Sequence, residues 1–208
     1  MREYTTVRRE ASDEFEEKRS VFIGHARHID CEQDALDFIK AKKKEYYDAR
    51  HNVYAYVLEG GNVMRYSDDG EPQGTGGQPV LEVIKRSGIV DVCVAVTRYF
   101  GGILLGAGGL TRAYSGGAAL AVGAAERVTI CACTDIKIVV DYSRYGMMER
   151  LLPENKAQIL DTDFGEFVTM TARLRCGDVE SFEKALTQAT SGTVPMEIIG
   201  DVFAPMKA

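Results

Sequence analysis

The first half of the chain alternates between segments with strand-like and helix-like hydrophobic periodicity. A period of two predicts strands at residues 2–12, 18–28, 51–58 and 62–66, and a buried apolar run predicts another at 92–97. Helix-like spacing predicts helices at residues 31–47, 79–88 and 108–126. Asp30 and Gln33 form a capping box for the first helix, and Pro79 and Gly88 are suited to start and stop the second. Gly60–Gly61 supplies a turn before the fourth strand.

The second half follows a simpler order. Strands are predicted at residues 134–142, 157–163, 166–175 and 194–203, and helices at 143–155, capped by Ser143, and at 178–190. This β-α-β-β-α-β order is ferredoxin-like. The sequence therefore predicts an α+β protein of two domains, residues 1–133 and residues 134–208.

Charge and composition narrow the function classes. The net charge is −6 and no part of the chain is strongly basic, so general phosphate neutralisation is not indicated, although a local basic patch stays open. The five cysteines are odd in number and no signal peptide precedes them, which predicts a reduced, cytoplasmic protein. No apolar run reaches the roughly 18 residues needed to cross a bilayer, so we expect no membrane partner.

Glycine is concentrated in two polar segments, residues 65–77 and 97–114. Thirteen of the 21 glycines lie between Gly70 and Gly123. Glycine costs conformational entropy and permits close backbone approach, so such a concentration needs a physical reason. Either the backbone packs tightly here, or backbone amides and a few charged side chains meet a ligand.

Spacing excludes the common nucleotide loops. The glycines from Gly101 to Gly106 are not followed by the Lys-Ser/Thr pair of a Walker A loop. A dinucleotide fingerprint would need a glycine at Thr111. What survives is an anion site at the helix start, flanked by Arg98 and Arg112. The equally weighted alternative is that these arginines pair with the acidic turn and hold the two loops together.

The acidic turn itself has two interpretations. Asp68, Asp69 and Glu71 suit Mg²⁺ or Ca²⁺, but a plain solvated turn is the favoured interpretation, and we assign no metal. Nearby His51 could act as a general base, although a histidine at a strand end is more often structural.

Three aromatic residues lie beside the two arginines. Tyr99, Phe100 and Tyr114 could form a surface for single-stranded nucleic acid. The favoured interpretation of Phe100 is instead a core residue. No cofactor and no catalytic residue is assigned. The predicted ligand-binding cleft comprises Arg50, His51, Asn52, Asp68, Asp69, Glu71, Arg98, Tyr99, Gly101, Gly102, Gly108, Gly109, Arg112 and Tyr114.

Three segments of the chain together resemble the YigZ/IMPACT family. They are Ala49–Asn52 (Ala-Arg-His-Asn), Tyr66–Pro79 (Tyr-Ser-Asp-Asp-Gly-Glu-Pro-Gln-Gly-Thr-Gly-Gly-Gln-Pro) and Thr97–Tyr114, which contains Arg-Tyr-Phe-Gly-Gly and Leu-Gly-Ala-Gly-Gly-Leu. The resemblance is strong over about residues 1–130, and the domain order of bacterial members extends it to the whole chain. It departs from the family at Gly76, where alanine is common, and at Ile103–Leu104, where Thr-Lys is common. The second departure removes a lysine beside the predicted cleft.

The resemblance implies two translation-type folds. The N-terminal domain is expected to be a β/α sandwich similar to the second domain of a small-subunit ribosomal protein. The C-terminal domain is expected to resemble the last domain of elongation factor G. Eukaryotic members are linked to translational control, restraining the kinase that responds to amino-acid starvation by competing for its activator.

We therefore expect a non-catalytic cytoplasmic binding protein related to translation regulation. Its partner would be RNA, the ribosome or a translation-regulatory protein, bound through the cleft between residues 65–77 and 97–114. The alternative is a metal-assisted enzyme acting on a phosphorylated or nucleotide substrate, with Asp68, Asp69 and Glu71 holding the ion and His51 as base.

Overall fold

The computed structural model describes residues 3–58 and 63–206, which form two compact units. One unit is Tyr4–Thr129, and the other is Ile130–Ala208 with Met1–Glu3. The division falls inside a strand that runs without interruption from Arg127 to Val140, and the predicted boundary at 133/134 lies further along that strand. The mixed α+β class is confirmed.

The elements of the described ranges follow the predicted order except at residues 2–12, where two strands replace the one expected. The strands are β1 Tyr4–Val7, β2 Ala11–Glu17, β3 Ser20–His28, β4 His51–Val57, β5 Met64–Ser67, β6 Val92–Tyr99, β7 Arg127–Val140, β8 Gln158–Phe164, β9 Val168–Arg175 and β10 Met196–Met206. The helices are α1 Glu32–Glu45, α2 Gly77–Ser87, α3 Gly106–Ala124, α4 Tyr142–Glu154 and α5 Val179–Thr190, the last preceded by a 3₁₀ turn at Cys176–Asp178.

The N-terminal unit is built on an antiparallel sheet with the order β2-β3-β6-β4-β5. Its central strand β6 is apolar on both faces because both are covered. Val92, Val94 and Val96 pack in the core shared with α2 and α3, whereas Cys93 and Ala95 pack in the core with α1. The result is three layers, which explains why β4 and β6 read as continuous apolar runs.

The approach of α3 to the sheet depends on glycine. A Cβ built on Gly24 of β3 would lie 2.0 Å from the carbonyl oxygen of Gly117 in α3, and a Cβ on Gly117 would lie 3.0 Å from Val96. The helix backbone therefore rests directly on the sheet, and part of the glycine concentration is explained by packing alone.

A row of polar side chains crosses this sheet, from buried Asn52, Thr97 and His25 to exposed Ser12. The Thr97 hydroxyl donates to Oδ1 of Asn52 at 2.7 Å, so its oxygen is free to accept from Nε2 of His25 at 3.4 Å. Nδ1 of His25 is then the acceptor for the Ser12 hydroxyl at 2.7 Å. Burial, and secondarily the charge of Lys42, lowers the pKa of His25 to about 4, so the ring is neutral at physiological pH.

The C-terminal unit packs two helices on one face of a sheet. The strand order is β8-β9-β7, with β10 also paired to β7, as the ferredoxin-like order requires. Residues at alternate positions of β7 and β9, such as Ile136 and Met170, pack in one core with Leu152 of α4 and Phe182 of α5. Within the described ranges, none of the helices combines the length and the apolar character needed to cross a membrane.

Four local predictions are wrong, each for an identifiable reason. Residues 2–12 are two strands, because β1 bonds to the segment at Ile89–Val90 while β2 pairs with β3. Helix α1 has no side-chain cap at Cys31, and the Asp34 carboxylate accepts from the Asp30 amide instead.

The other two concern the starts of helices. Helix α2 begins at Gly77 rather than Pro79, because its first amide donates to the Asp68 carboxylate. Helix α4 is capped by Asp141, which accepts from the Arg144 amide, rather than by Ser143. The Gly60–Gly61 turn lies outside the described residues.

The contact between β3 and α3 predicts a strong effect of a single methyl group. Gly24→Ala should lower the free energy of unfolding by about 1–3 kcal/mol, because its Cβ would overlap the α3 backbone. Gly123→Ala is the matched control: that position in α3 has open space around its Cβ, and the change should raise stability by about 0.5–1 kcal/mol. Urea unfolding followed by circular dichroism measures both, and equal stability of the two variants would contradict the packing argument.

The neutral His25 predicts a defined pH dependence of stability. Between about pH 4 and pH 6.5 the His25 imidazole is protonated in the unfolded chain and neutral in the folded one. The free energy of unfolding should therefore rise with pH across this window. The contribution of His25 to the free energy of unfolding is fully present above pH 6.5. It should fall by up to about 3 kcal/mol as the pH is lowered to 4. Urea unfolding of the wild type and of His25→Gln at several pH values isolates the contribution. Parallel pH profiles would show that the ring is not held neutral.

Candidate functional site

The first glycine-rich loop is organised around the Asp68 side chain. Its Oδ2 accepts from the amide of Gly74 at 2.8 Å, and its Oδ1 accepts from the amides of Gly76 and Gly77 at 2.9 and 2.8 Å. The carboxylate thus satisfies amides at the start of α2 that the helix itself leaves unpaired. Asp68 is committed to folding the loop.

Asp69 ties the same loop to β4 and α1. The residue has a left-handed backbone, with φ 45°, and its Oδ2 accepts from the amide of Asn52 at 2.7 Å. Lys43 donates to Oδ1 at 2.5 Å, and the Asp69 carbonyl oxygen lies 2.8 Å from Nδ1 of His51. His51 therefore contacts the loop backbone, and the Asn52 amide contacts the Asp69 side chain.

Glu71 is the point at which the two loops meet. Its side chain is only 4% exposed, and Oε1 accepts from Nη1 of Arg98 at 2.5 Å and from the hydroxyl of Tyr114 at 2.8 Å. The Arg98 side chain is 7% exposed, and Nε2 of His51 lies 4.0 Å from the same carboxylate oxygen. Loop 65–77, strand β6 and helix α3 are thus joined by one buried group of side chains.

The guanidinium of Arg98 also makes cation–π contacts with two aromatic rings. Its Cζ lies 5.5 Å from the centroid of Phe22 on β3 and 5.5 Å from the centroid of Phe100. Phe22 and Arg98 are cross-strand partners, and Phe100 follows Arg98 by two positions on the same side. Nε of Arg98 is buried with no hydrogen-bond partner among the described residues.

The three aromatic residues differ in burial, and the expectation for Phe100 is wrong. Tyr114 is completely buried, because it projects inward from α3 and packs edge-on against Phe22 with 5.3 Å between ring centroids. Burial, and secondarily the bond to Glu71, raises its pKa. Phe100 is 44% exposed rather than a core residue, because β6 ends at Tyr99 and leaves it in the loop. The Tyr99 hydroxyl donates to Asp48 at 2.7 Å, which raises its pKa to about 12.

The second glycine loop is fixed at its start and open further on. The Gly101 amide donates to Oγ of Ser20 at 3.2 Å, and a Cβ at Gly101 would lie 2.0 Å from the Arg19 carbonyl group. Gly102 has a left-handed backbone with φ 83°, and no atom approaches the position of its absent Cβ. The start of α3, including Gly108, is exposed, has no side-chain cap and has no acidic residue in its first turn; Gly109 packs against Leu105.

Two of the predicted arginines face solvent. Arg50 and Arg112 are exposed and make no hydrogen bond or ion pair to the described part of the chain. The Arg112 guanidinium lies along the first turn of α3, with Nη1 3.7 Å from the Cβ position of Gly108. The residues predicted to form the cleft therefore divide into a buried group around Glu71 and exposed cations, of which Arg112 lies at the α3 start.

The three carboxylates of the acidic turn do not converge. Asp68 faces backbone amides, Asp69 faces Lys43 and Asn52, and Glu71 faces Arg98 and Tyr114. Among the described side chains, no group of three or more His, Cys, Asp or Glu is gathered in a way that could hold a metal ion.

Several contributors to the cleft were not found from the sequence. Lys43 and Asp48 reach it from the end of α1 and the segment after it, and Arg19 reaches it from the turn between β2 and β3. These contacts join distant parts of the chain, so no local spacing indicates them. The exposure of Phe100 could have been inferred, because β6 was expected to end just before it.

Comparison with known proteins covers both units of the chain. Residues 18–122 match the family model described as the Impact N-terminal domain, and residues 138–193 match a domain of unknown function, DUF1949. The IMPACT family member YvyE of Bacillus subtilis is 36% identical over 91% of this chain and 88% of its own. YigZ of Escherichia coli is 33% identical over 86% of this chain and 89% of its own.

A solved structure and the eukaryotic relatives differ in how much of the chain they match. A crystal structure titled as that of a hypothetical protein has 30% identity and a TM-score of 0.60, over 96% of this chain and 98% of that one. Eukaryotic proteins named IMPACT, such as that of Rattus norvegicus with 32% identity, match 43% of this chain and 30% of their own length. The chain belongs to the IMPACT family.

Proposed function

We propose that the protein is a non-catalytic binding protein in translation regulation that contacts RNA, free or within the ribosome, through the cleft of residues 65–77 and 97–114. One observation carries this proposal. The side chains suited to acid–base or metal chemistry are engaged in internal hydrogen bonds and ion pairs, whereas cationic groups and the α3 start face solvent.

The α3 start has the features that phosphate prefers. Backbone N–H groups at a helix start point outward and carry partial positive charge. Here the first turn contains no acidic residue and begins with glycine, so a phosphate can approach the backbone closely. Arg112 lies beside this turn and can donate to the same phosphate.

The charge pattern of the chain supports a polyanion. No Asp or Glu occurs between Asp91 and Glu126, and Arg98 and Arg112 are the only ionised side chains of that segment. A negatively charged polymer that tracks along β6, the loop and α3 therefore meets no repulsion from this segment. Because the net charge of the protein is −6, a polyanion is repelled by the rest of the surface and binding is confined to this local patch.

The link to translation rests on family membership. The residues of the proposed cleft lie in the N-terminal unit, within the match to the Impact N-terminal domain over residues 18–122. The resemblance implies translational control for those relatives, and we extend it to this chain as a proposal. A translation-regulatory protein partner at the same surface is the competing candidate, and the charge pattern favours RNA over it.

Removal of Arg112 should weaken RNA binding. Arg112→Ala should lower the affinity for short RNA several-fold and reduce the salt slope of log K by about 1, because one phosphate contact is lost. Arg86→Ala is the control, since Arg86 is exposed beside the C-terminal end of α3, about 15 Å from Arg112 along the helix. Fluorescence anisotropy between 50 and 200 mM salt, together with co-sedimentation with ribosomes, provides the measurement.

Two results would contradict the proposal. If the wild-type protein binds neither RNA nor ribosomes at about 50 mM salt, RNA is excluded as the partner, because electrostatic binding is strongest at low salt. Equal losses in Arg112→Ala and Arg86→Ala would place the binding surface elsewhere.

A further inference from the structure

We propose that Phe100 is a stacking platform for an unpaired base of single-stranded RNA. This inference rests on the proposed function and specifies which part of the RNA the cleft reads. Aromatic side chains that carry a base beside a cationic backbone-binding surface are the usual means of binding single strands without sequence readout.

One face of the Phe100 ring is already covered, and much of the residue faces solvent. The Arg98 guanidinium lies over the Phe100 ring, with Cζ 5.5 Å from the ring centroid. Phe100 is nevertheless 44% exposed. The residue thus offers accessible aromatic surface beside a buried cation, and a base can stack on that surface.

Internal contacts fix the residues around Phe100. Arg98 cannot move away from the Phe100 ring without losing its ion pair with Glu71, and Glu71 also accepts a hydrogen bond from the Tyr114 hydroxyl. Both sequence neighbours of Phe100 are also fixed: the Tyr99 hydroxyl bonds to Asp48, and the Gly101 amide bonds to Ser20. A ring oriented in advance loses little entropy when a base binds.

The surroundings favour a nucleotide over a peptide. The Arg112 guanidinium lies over the first turn of α3, where the loop that carries Phe100 ends. A phosphate next to a stacked base would therefore have a cation on that side. Ile103 and Leu104 are also exposed in this loop, so an acidic apolar peptide is the competing ligand, and the test includes it.

The absence of tryptophan from the chain allows a direct optical test. Phe100→Trp introduces a single indole at the platform, and its fluorescence should be quenched when a base stacks on it. The probes are a short oligouridine and a matched abasic oligonucleotide with the same number of phosphates. We expect quenching by the first and none by the second. Phe164→Trp is the control, since Phe164 is 56% exposed in the C-terminal unit and should not respond.

Affinity measurements on the native aromatic position complete the test. Phe100→Leu should weaken binding of oligouridine about tenfold and leave binding of the abasic strand unchanged, whereas Phe100→Tyr should bind like the wild type. Circular dichroism of each variant verifies that it is folded.

The outcomes separate this inference from the proposed function. If oligouridine binds but neither quenches the indole nor distinguishes Phe100→Leu, the platform is excluded and RNA binding by phosphate contacts stands. If no oligonucleotide binds, the platform is excluded, and if ribosomes also fail to bind, the proposed function is excluded as well. A response to an acidic apolar peptide and not to oligouridine would assign the loop to a protein partner and overturn the inference.

Discussion

The buried contact between Glu71 and Arg98 is the interaction on which the rest of the site depends. It connects a loop before α2 to the end of β6, and through Tyr114 it also reaches α3. A buried ion pair is not by itself a source of stability, because both charges lose their hydration. Its effect is on geometry: neither charge can remain buried alone, so the two loops must stay together.

This constraint divides the glycine-rich segments into two roles. Some positions require glycine because two backbone segments are in contact, as Gly24 is with Gly117 and Gly101 is with Arg19. Others lie at an open surface, as Gly102 and Gly108 do. Packing and ligand binding are therefore not alternatives here, since the packed glycines place the open ones beside Phe100 and Arg112.

The fold was predictable from the sequence to a greater extent than the site. A period of two indicates β4, and a continuous apolar run indicates β6 because both of its faces are covered. The order of the C-terminal unit follows from six regular elements. The burial of Tyr114 was not predictable, because it depends on the rotation of α3 about its axis. Pairing of Lys43 with Asp69 joins residues 26 positions apart, which no local pattern encodes. Of the two arginines expected either to pair with the acidic turn or to bind an anion, Arg98 pairs with Glu71. Arg112 faces solvent.

A double-mutant cycle on Glu71 and Arg98 tests the central claim most directly. Free energies of unfolding would be measured for the wild type, Glu71→Gln, Arg98→Met and the double variant. If the buried pair holds the loops together, each single change leaves a buried group without its partner, and the coupling free energy should be about 3 kcal/mol. A coupling near zero would contradict the account, since the two residues would then stabilise the protein independently.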